Sequence, residues 1–124
     1  MDKKHVLAIA NEIRIQIMNT AGFVVFYSWG VSKQEATVLK KMPGLVLHVQ
    51  GNLLKGKVFI MLDQGTDTYT IFAQPEDGEL KQYREDVYFD ELWAVLDGLI
   101  EKDPKWTKEE YRSHLLKQRS YGHS

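Results

Sequence analysis

Residues 45–74 read LVLHVQGNLLKGKVFIMLDQGTDTYTIFAQ, and this stretch decides the fold class. Leu45–Gln50 and Asp67–Gln74 alternate with the period of two that is typical of half-buried strands, and an apolar run, Lys57–Asp63, lies between them. The connections at 51–56 and 64–66 are short and contain glycine. Because a parallel crossover needs about a dozen residues or more, these short connections predict antiparallel hairpins.

The chain before this stretch predicts a helix and one further strand. Over residues 4–20 the apolar side chains recur at helical spacing, and Gly22 is a natural stop. Phe23–Trp29 is dense in β-branched and aromatic residues, which predicts a strand. Residues 30–44 leave two interpretations open, a short helix that begins near Ser32 or an irregular loop. The predicted helix stripe consists of Val6, Ile9, Ala10, Ile13 and Ile17.

The chain after this stretch predicts a turn and two more helices. Residues 75–78, Pro-Glu-Asp-Gly, form a strong turn signal, which we expect to end the sheet. Helical spacing then returns from Phe89 until Asp103-Pro104. Thr107, with Glu110 three residues later, predicts a capped final helix to about Gln118 and a frayed tail over 119–124. The predicted apolar stripe is Phe89, Leu92, Trp93, Leu96, Leu99 and Ile100, with Asp90, Glu91, Asp97 and Glu101 facing outward.

These elements predict a single α+β domain over residues 1–124. Its expected architecture is an N-terminal helix, a four-stranded antiparallel β-meander and two C-terminal helices, with the helices packed mainly on one sheet face. The other face would be partly open and would offer Phe59, Met61 or Phe72 as apolar anchors.

Charge is segregated along a nearly neutral chain of 124 residues with a net charge of -1. Residues 1–62 carry eight Lys or Arg and three Asp or Glu, residues 63–110 carry five and fourteen, and residues 111–124 carry three and none. The total excludes a strongly basic DNA-coating protein. The chain has no cysteine and no long apolar run, so we expect a soluble, cytoplasmic protein without disulfides or a membrane span.

Four short motifs resemble a group of small uncharacterised α+β proteins encoded by bacteriophages and other bacterial mobile elements. The motifs are Phe26–Gly30 (FYSWG), Leu45–Leu47 (LVL), Asp67–Tyr69 (DTY) and Val87–Leu92 (VYFDEL). The resemblance covers roughly residues 6–100. It implies a fold and a genetic setting, and it brings no catalytic residues with it.

Catalytic and metal-binding signatures are missing from the sequence. The histidines His5, His48, His114 and His123 are scattered without ligand spacing, and there is no nucleophile elbow or phosphate loop. We therefore expect no metal and no cofactor, and a function in binding and not in catalysis.

Protein association is the interpretation that we prefer, either with a protein partner or as a homodimer. It depends on an acidic strip in the second half of the chain, which would face basic surfaces of the first half. This acidic strip consists of Glu76, Asp77, Glu79, Asp86, Asp90 and Glu91.

Single-stranded nucleic acid is the alternative partner. Lysines beside exposed aromatic rings would form a platform for phosphates and stacked bases, although Tyr27 and Trp29 also suit a core. The residues concerned are Tyr27, Trp29, Lys33, Lys40, Lys41, Lys55 and Lys57.

Overall fold

A computed structural model describes residues 2–121 of the chain, with side chains as far as Lys117. The strands in this part of the chain form one antiparallel sheet in the order β1-β2-β3-β4-β5. The α+β class and the antiparallel sheet are confirmed, but the sheet has five strands and not the predicted four. The elements are α1 (Lys3–Ala21), α2 (Phe23–Ser28), β1 (Lys33–Leu39), β2 (Met42–Gln50), β3 (Lys55–Asp63), β4 (Thr68–Pro75), β5 (Lys81–Val87), α3 (Leu92–Ile100) and α4 (Lys108–Tyr121).

Helix α1 follows the sequence prediction. The carboxylate of Asp2 accepts the Lys4 backbone N–H at 3.3 Å and caps the helix start. All the residues of the predicted stripe are buried. At the other end Gly22 adopts a φ of 82°, a conformation that favours glycine, and its N–H donates to the Met18 carbonyl.

The prediction of a strand at Phe23–Trp29 is wrong, because residues Phe23–Ser28 form helix α2. The positive φ of Gly22 ends α1, and the chain begins a new short helix at once. Phe26 and Trp29, three residues apart, then share one side of α2, and Trp29 is fully buried. The free energy gained by burying this indole outweighs the intrinsic preference of the segment for a β-strand.

Residues 30–44 form neither of the two predicted structures. They contain strand β1, which pairs with β2 in continuous register from Lys33 opposite His48 to Leu39 opposite Met42. Lys40 and Lys41 make the turn with φ values of 50° and 67°. Positive φ at both central residues is the geometry of a type I′ hairpin turn, which usually carries Asn or Gly. Two lysines at these positions gave no hairpin signal.

The turn at 75–78 does not end the sheet. The Gly78 N–H donates to the Pro75 carbonyl at 3.1 Å, and the chain returns as β5 against β4. Residues Lys81–Asp86 are exposed on both faces of β5. A strand at the edge of a sheet needs no buried face, and so it shows none of the alternation from which strands are predicted.

One hydrophobic cluster joins α1, α3 and one face of the sheet. Leu45, Ile60 and Ile71 stand opposite one another on β2, β3 and β4, and each is at most 3% exposed. Ile13 and Ile17 of α1 belong to the same cluster. This face supplies most of the apolar burial that stabilises the domain.

The other face is less open than the sequence predicts. Met61 and Phe72 are 0% and 1% exposed, so the expectation that they serve as exposed anchors is wrong, and Phe59 alone of the three stays half-buried. The Lys40 ammonium lies 5.6 Å from the centre of the Phe72 ring. The Lys40 side chain of the β1–β2 turn therefore reaches over this face to the ring.

The C-terminal helices differ from the prediction in where they begin and end and in the burial of two acidic side chains. Helix α3 starts at Leu92, and Phe89 before it is exposed. Asp97 and Glu101, predicted to face outward, are buried. The Thr107 hydroxyl accepts the Glu110 N–H at 3.1 Å, the predicted cap of α4. This helix runs past Gln118 to Tyr121, and the rest of the predicted tail, 122–124, lies outside the described residues.

Candidate functional site

The acidic strip lies along β5 and its two connections. Glu76, Asp77 and Glu79 belong to the β4–β5 turn region, Asp86 lies near the end of β5, and Asp90 and Glu91 precede α3. All except the half-buried Glu91 are exposed. The fold therefore places the predicted acidic strip at one outer strand of the sheet, with three members before the start of β5 and three at or after its end.

The predicted basic residues divide into two groups. Lys33, Lys40 and Lys41 lie on β1 and its turn, at the opposite outer strand, and we call these three residues the basic edge. Lys55 and Lys57 start the central strand β3 instead. There the Lys55 carbonyl accepts the backbone N–H of Glu76 at 2.9 Å, so this second group adjoins one end of the acidic strip.

The opposite charges do not neutralise each other through ion pairs. Among the side chains that the structure describes, no member of the acidic strip forms a salt bridge with a lysine or arginine. Glu76 accepts a 2.8 Å hydrogen bond from the Gln50 amide, and Glu91 accepts the Tyr88 N–H at 3.1 Å. The acidic strip thus presents unpaired carboxylates to solvent, and Lys81 and Arg84 are the basic residues between its two ends.

Lys33 is part of a local charged row on the less apolar sheet face. It stands opposite His48, which stands opposite Lys57. The Glu35 carboxylate lies 2.8 Å from the Lys33 ammonium and 3.5 Å from the His48 ring. A hydrogen bond and the positive charge of Lys33 lower the pKa of Glu35, and Glu35 raises the pKa of Lys33 in return. This row is therefore partly neutralised.

The two predicted aromatic residues of the nucleic-acid platform do not form a surface pair. Tyr27 is 45% exposed and stacks on the exposed ring of Phe23, with ring centres 5.8 Å apart. Trp29 is 0% exposed, and its side chain points into the protein. A nucleotide base cannot stack on Trp29 in this fold, so its place on the predicted platform is not supported by the geometry.

Two apolar grooves flank the basic edge. One, of about 430 Å³, lies between the start of α1 and the end of β1, where Leu7 and Val38 are exposed. The other, of about 370 Å³, lies at the junction of α1 and α2. The first groove is lined by Lys3, Val6, Leu7, Ala36, Thr37 and Val38, and the second by Met18, Phe23, Phe26, Tyr27, Gly30 and Val31.

A buried polar cluster around α3 is absent from the sequence-based prediction, which placed both of its acids outward. Asp97 accepts hydrogen bonds from the Trp29 indole Nε1 at 2.9 Å and from the Tyr111 hydroxyl. Glu101 accepts the Asn52 backbone N–H at 2.6 Å and is hydrogen-bonded to the His114 ring. One signal was available: Asp97 in the last turn of α3 and Glu101 at its C-cap lie at the negative end of the helix dipole, where a carboxylate needs hydrogen-bond donors.

The hydrogen bonds of this cluster have a structural role. It connects the end of α2, the β2–β3 loop, α3 and α4 through carboxylate oxygens that each have a donor. Burial, together with the adjacent Asp97 carboxylate, raises the pKa of Tyr111 well above its ordinary range, so this phenol remains a neutral donor. Within the described side chains, no buried polar atom lacks a hydrogen-bond partner.

The described residues contain no candidate metal site and no candidate membrane span. No group of three or more His, Asp or Glu among residues 2–121 is placed to hold a metal ion. No helix in this part of the chain is long and apolar enough to cross a membrane. Comparisons of the chain with family models, with curated proteins and with solved structures found no match.

Proposed function

We propose that this chain is a small, non-catalytic interaction module that binds a protein partner, or a second copy of itself, through its segregated charged surfaces. One observation carries the proposal: the acidic strip and the basic edge lie on opposite outer strands of the sheet and make no ion pair with each other among the described side chains. Charge that is not compensated within a molecule is available to steer and orient a partner.

The outer strands add a second support. In the described chain β1 pairs with β2 alone and β5 with β4 alone, so each outer strand leaves backbone N–H and C=O groups on its free side. Free strand edges are common docking sites for other chains, because main-chain hydrogen bonds give affinity while neighbouring side chains give specificity.

A capture experiment tests the proposed function. The immobilised chain is exposed to bacterial lysate at low salt, and the retained proteins are identified by mass spectrometry. The test variant combines Glu79→Gln with Asp90→Asn, and the matched control neutralises two exposed acids elsewhere, Glu12→Gln with Glu109→Gln. We expect a discrete retained protein that the control variant keeps and the test variant loses. Identical retention by all three chains would contradict the proposal.

Single-stranded nucleic-acid binding is the second candidate, and it is favoured by the row of Lys33, His48 and Lys57 across three strands. Against it stand the burial of Trp29 and the ion pair of Lys33 with Glu35. Fluorescence anisotropy with a labelled oligonucleotide decides it. Binding that weakens with salt and on Lys57→Gln would support this candidate, and no binding at low salt would remove it.

Three finer expectations belong to the same proposal. A cytoplasmic location is supported by a fold that needs no disulfide. An origin in a bacteriophage or another mobile element rests on the four short motifs. An arrangement of the helices mainly on one sheet face is supported by the cluster that α1 and α3 share with Leu45, Ile60 and Ile71.

A further inference from the structure

We infer that copies of this chain associate head to tail, with the acidic strip along β5 of one copy docked on the basic edge of the next. The inference rests on the proposed function and names its partner, a second copy of the same chain.

Charge selects this pairing over a symmetric one. Residues 76–91 carry seven Asp or Glu against two Lys or Arg. At the basic edge, by contrast, Lys3 of α1 lines the same groove as Val38 of β1 and adds a further positive charge. An antiparallel two-fold dimer through β1 would bring Lys33 of one copy near the Lys40-Lys41 turn of the other. One through β5 would bring Glu79 of one copy near Asp86 and Asp90 of the other, although the strand itself is balanced by Lys81 and Arg84. Like charges placed opposite each other oppose association. Opposite charges meet when β5 of one copy docks on β1 of another.

The apolar groups of the two edges are complementary as well. Tyr83, Tyr88 and Phe89, on and just after β5, are 47%, 60% and 61% exposed. The two grooves beside the basic edge are lined largely by apolar side chains, including Leu7 and Val38. Docking of the β5 side on the β1 side would bury aromatic rings in these grooves, which favours association through loss of apolar surface.

The backbones of the two strands limit how strong the contact is. Strand β1 is regular along Lys33–Leu39 and offers an unbroken free side. The pairing of β4 with β5 shifts register on each side of Ile71, which twists β5 and shortens the stretch that pairs with a new strand. The expected association is therefore weak and concentration-dependent. Because the two surfaces differ, it builds chains or rings and does not stop at a symmetric dimer.

Two variants with one blocked edge each provide the test. Val38→Lys blocks the β1 side, Phe89→Lys with Asp90→Lys blocks the β5 side, and Leu53→Lys in the β2–β3 loop is the control. Circular dichroism confirms that each variant is folded. Molar mass is measured by sedimentation equilibrium over a range of concentrations, at about 0.01 M and about 0.15 M salt, where the Debye length falls from about 30 Å to about 8 Å.

The expected result has three parts. The wild type and the Leu53→Lys control gain mass with concentration beyond a dimer, and salt reduces this gain. Each blocked variant alone is monomeric, because it has one working edge and no complement. An equimolar mixture of the two forms a one-to-one complex, since the two intact edges match.

Two results would overturn the inference. A blocked variant that dimerises by itself would indicate a symmetric interface. A wild-type chain that remains monomeric at every concentration and at low salt would exclude self-association. In that second case the lysate capture still tests the proposed function separately, because a different protein retained through the acidic strip would preserve it.

Discussion

The indole Nε1 of Trp29 donates a 2.9 Å hydrogen bond to the carboxylate of Asp97, 68 positions away in the chain, and both side chains are buried. This bond connects the end of α2 to the last turn of α3. It explains why an aromatic segment with strand propensity folds as a helix: the short helix delivers the indole to a carboxylate that would otherwise be buried without this donor.

Trp29→Phe should lower the free energy of unfolding by about 2 to 4 kcal/mol, because it removes a donor to a buried carboxylate and leaves a small cavity. The measurement is urea unfolding followed by circular dichroism. Tyr27→Phe, at a half-exposed position on the same helix, should change stability by less than about 0.5 kcal/mol. Equal effects of the two substitutions would mean that the indole bond does not hold α2 in place.

Tyr111→Phe should loosen α4 while leaving the sheet intact. The Tyr111 hydroxyl donates to Asp97, and its loss removes one of the polar contacts that dock α4. We expect a loss of about 1 kcal/mol in stability and faster amide hydrogen exchange across 108–117, with unchanged exchange in β2 and β3. Tyr88→Phe is the exposed control. Faster exchange throughout the sheet would contradict a local role for this contact.

Lys41→Gly should stabilise the protein by up to about 1 kcal/mol. Lys41 adopts a φ of 67° in the β1–β2 turn, where a residue with a side chain is strained and glycine is not. The neighbouring Lys40, which lies over Phe72, is untouched by this change. Lys57→Gly, within β3, is the matched control and should be destabilising. Thermal unfolding of both variants gives the comparison, and a loss of stability in Lys41→Gly would show that its side chain has a role of its own.

The elements that the sequence predicts correctly are those that bury apolar side chains. Helix α1 and strands β2 and β4 carry a periodic apolar pattern, β3 carries an apolar run, and each is found where that pattern or run places it. Strand β5 is exposed on both faces and therefore has no alternating apolar pattern. Strand β1 ends in a turn formed by two lysines, which are not typical turn residues.

The candidate site divides in the same way. Exposed charges such as Asp90 and Lys33 lie on the surface, as their residue type predicts. The sequence does not show which strands are outermost, and it is the strand order that places the acidic strip and the basic edge on opposite sides of the sheet. Asp97 and Glu101 were predicted outward because acids usually are. Their burial depends on partners from distant parts of the chain, among them Trp29 and Asn52, and long-range partners are invisible to local spacing.

Stability should fall at alkaline pH in a way that depends on Tyr69. Burial first, and then the nearby Glu12 carboxylate, raise the pKa of Tyr69 to about 12, while its hydroxyl donates to Gln16 at 2.6 Å. Below about pH 10 the phenol is neutral in both the folded and the unfolded state, and its contribution to the free energy of unfolding is complete. As the pH rises from about 10 towards about 12, the unfolded chain ionises first, so the free energy of unfolding falls.

The comparison with Tyr69→Phe isolates this effect. The variant loses the bond to Gln16 and should be less stable than the wild type at pH 8. Its stability should then fall less steeply with pH, so the difference between the two proteins narrows between about pH 9.5 and about pH 11. Urea unfolding at several pH values measures it. A constant difference over this range would contradict the assigned environment of Tyr69.

The central claim is that the acidic strip forms no ion pair among the described side chains and is therefore available to bind outside the molecule. Urea unfolding of the Glu79→Gln, Asp90→Asn variant at low salt tests this most directly. The account predicts a free energy of unfolding within about 0.5 kcal/mol of the wild type, or slightly higher as repulsion among the acids is relieved. A loss of more than about 1 kcal/mol would show that these carboxylates stabilise the fold from within, and would contradict the claim.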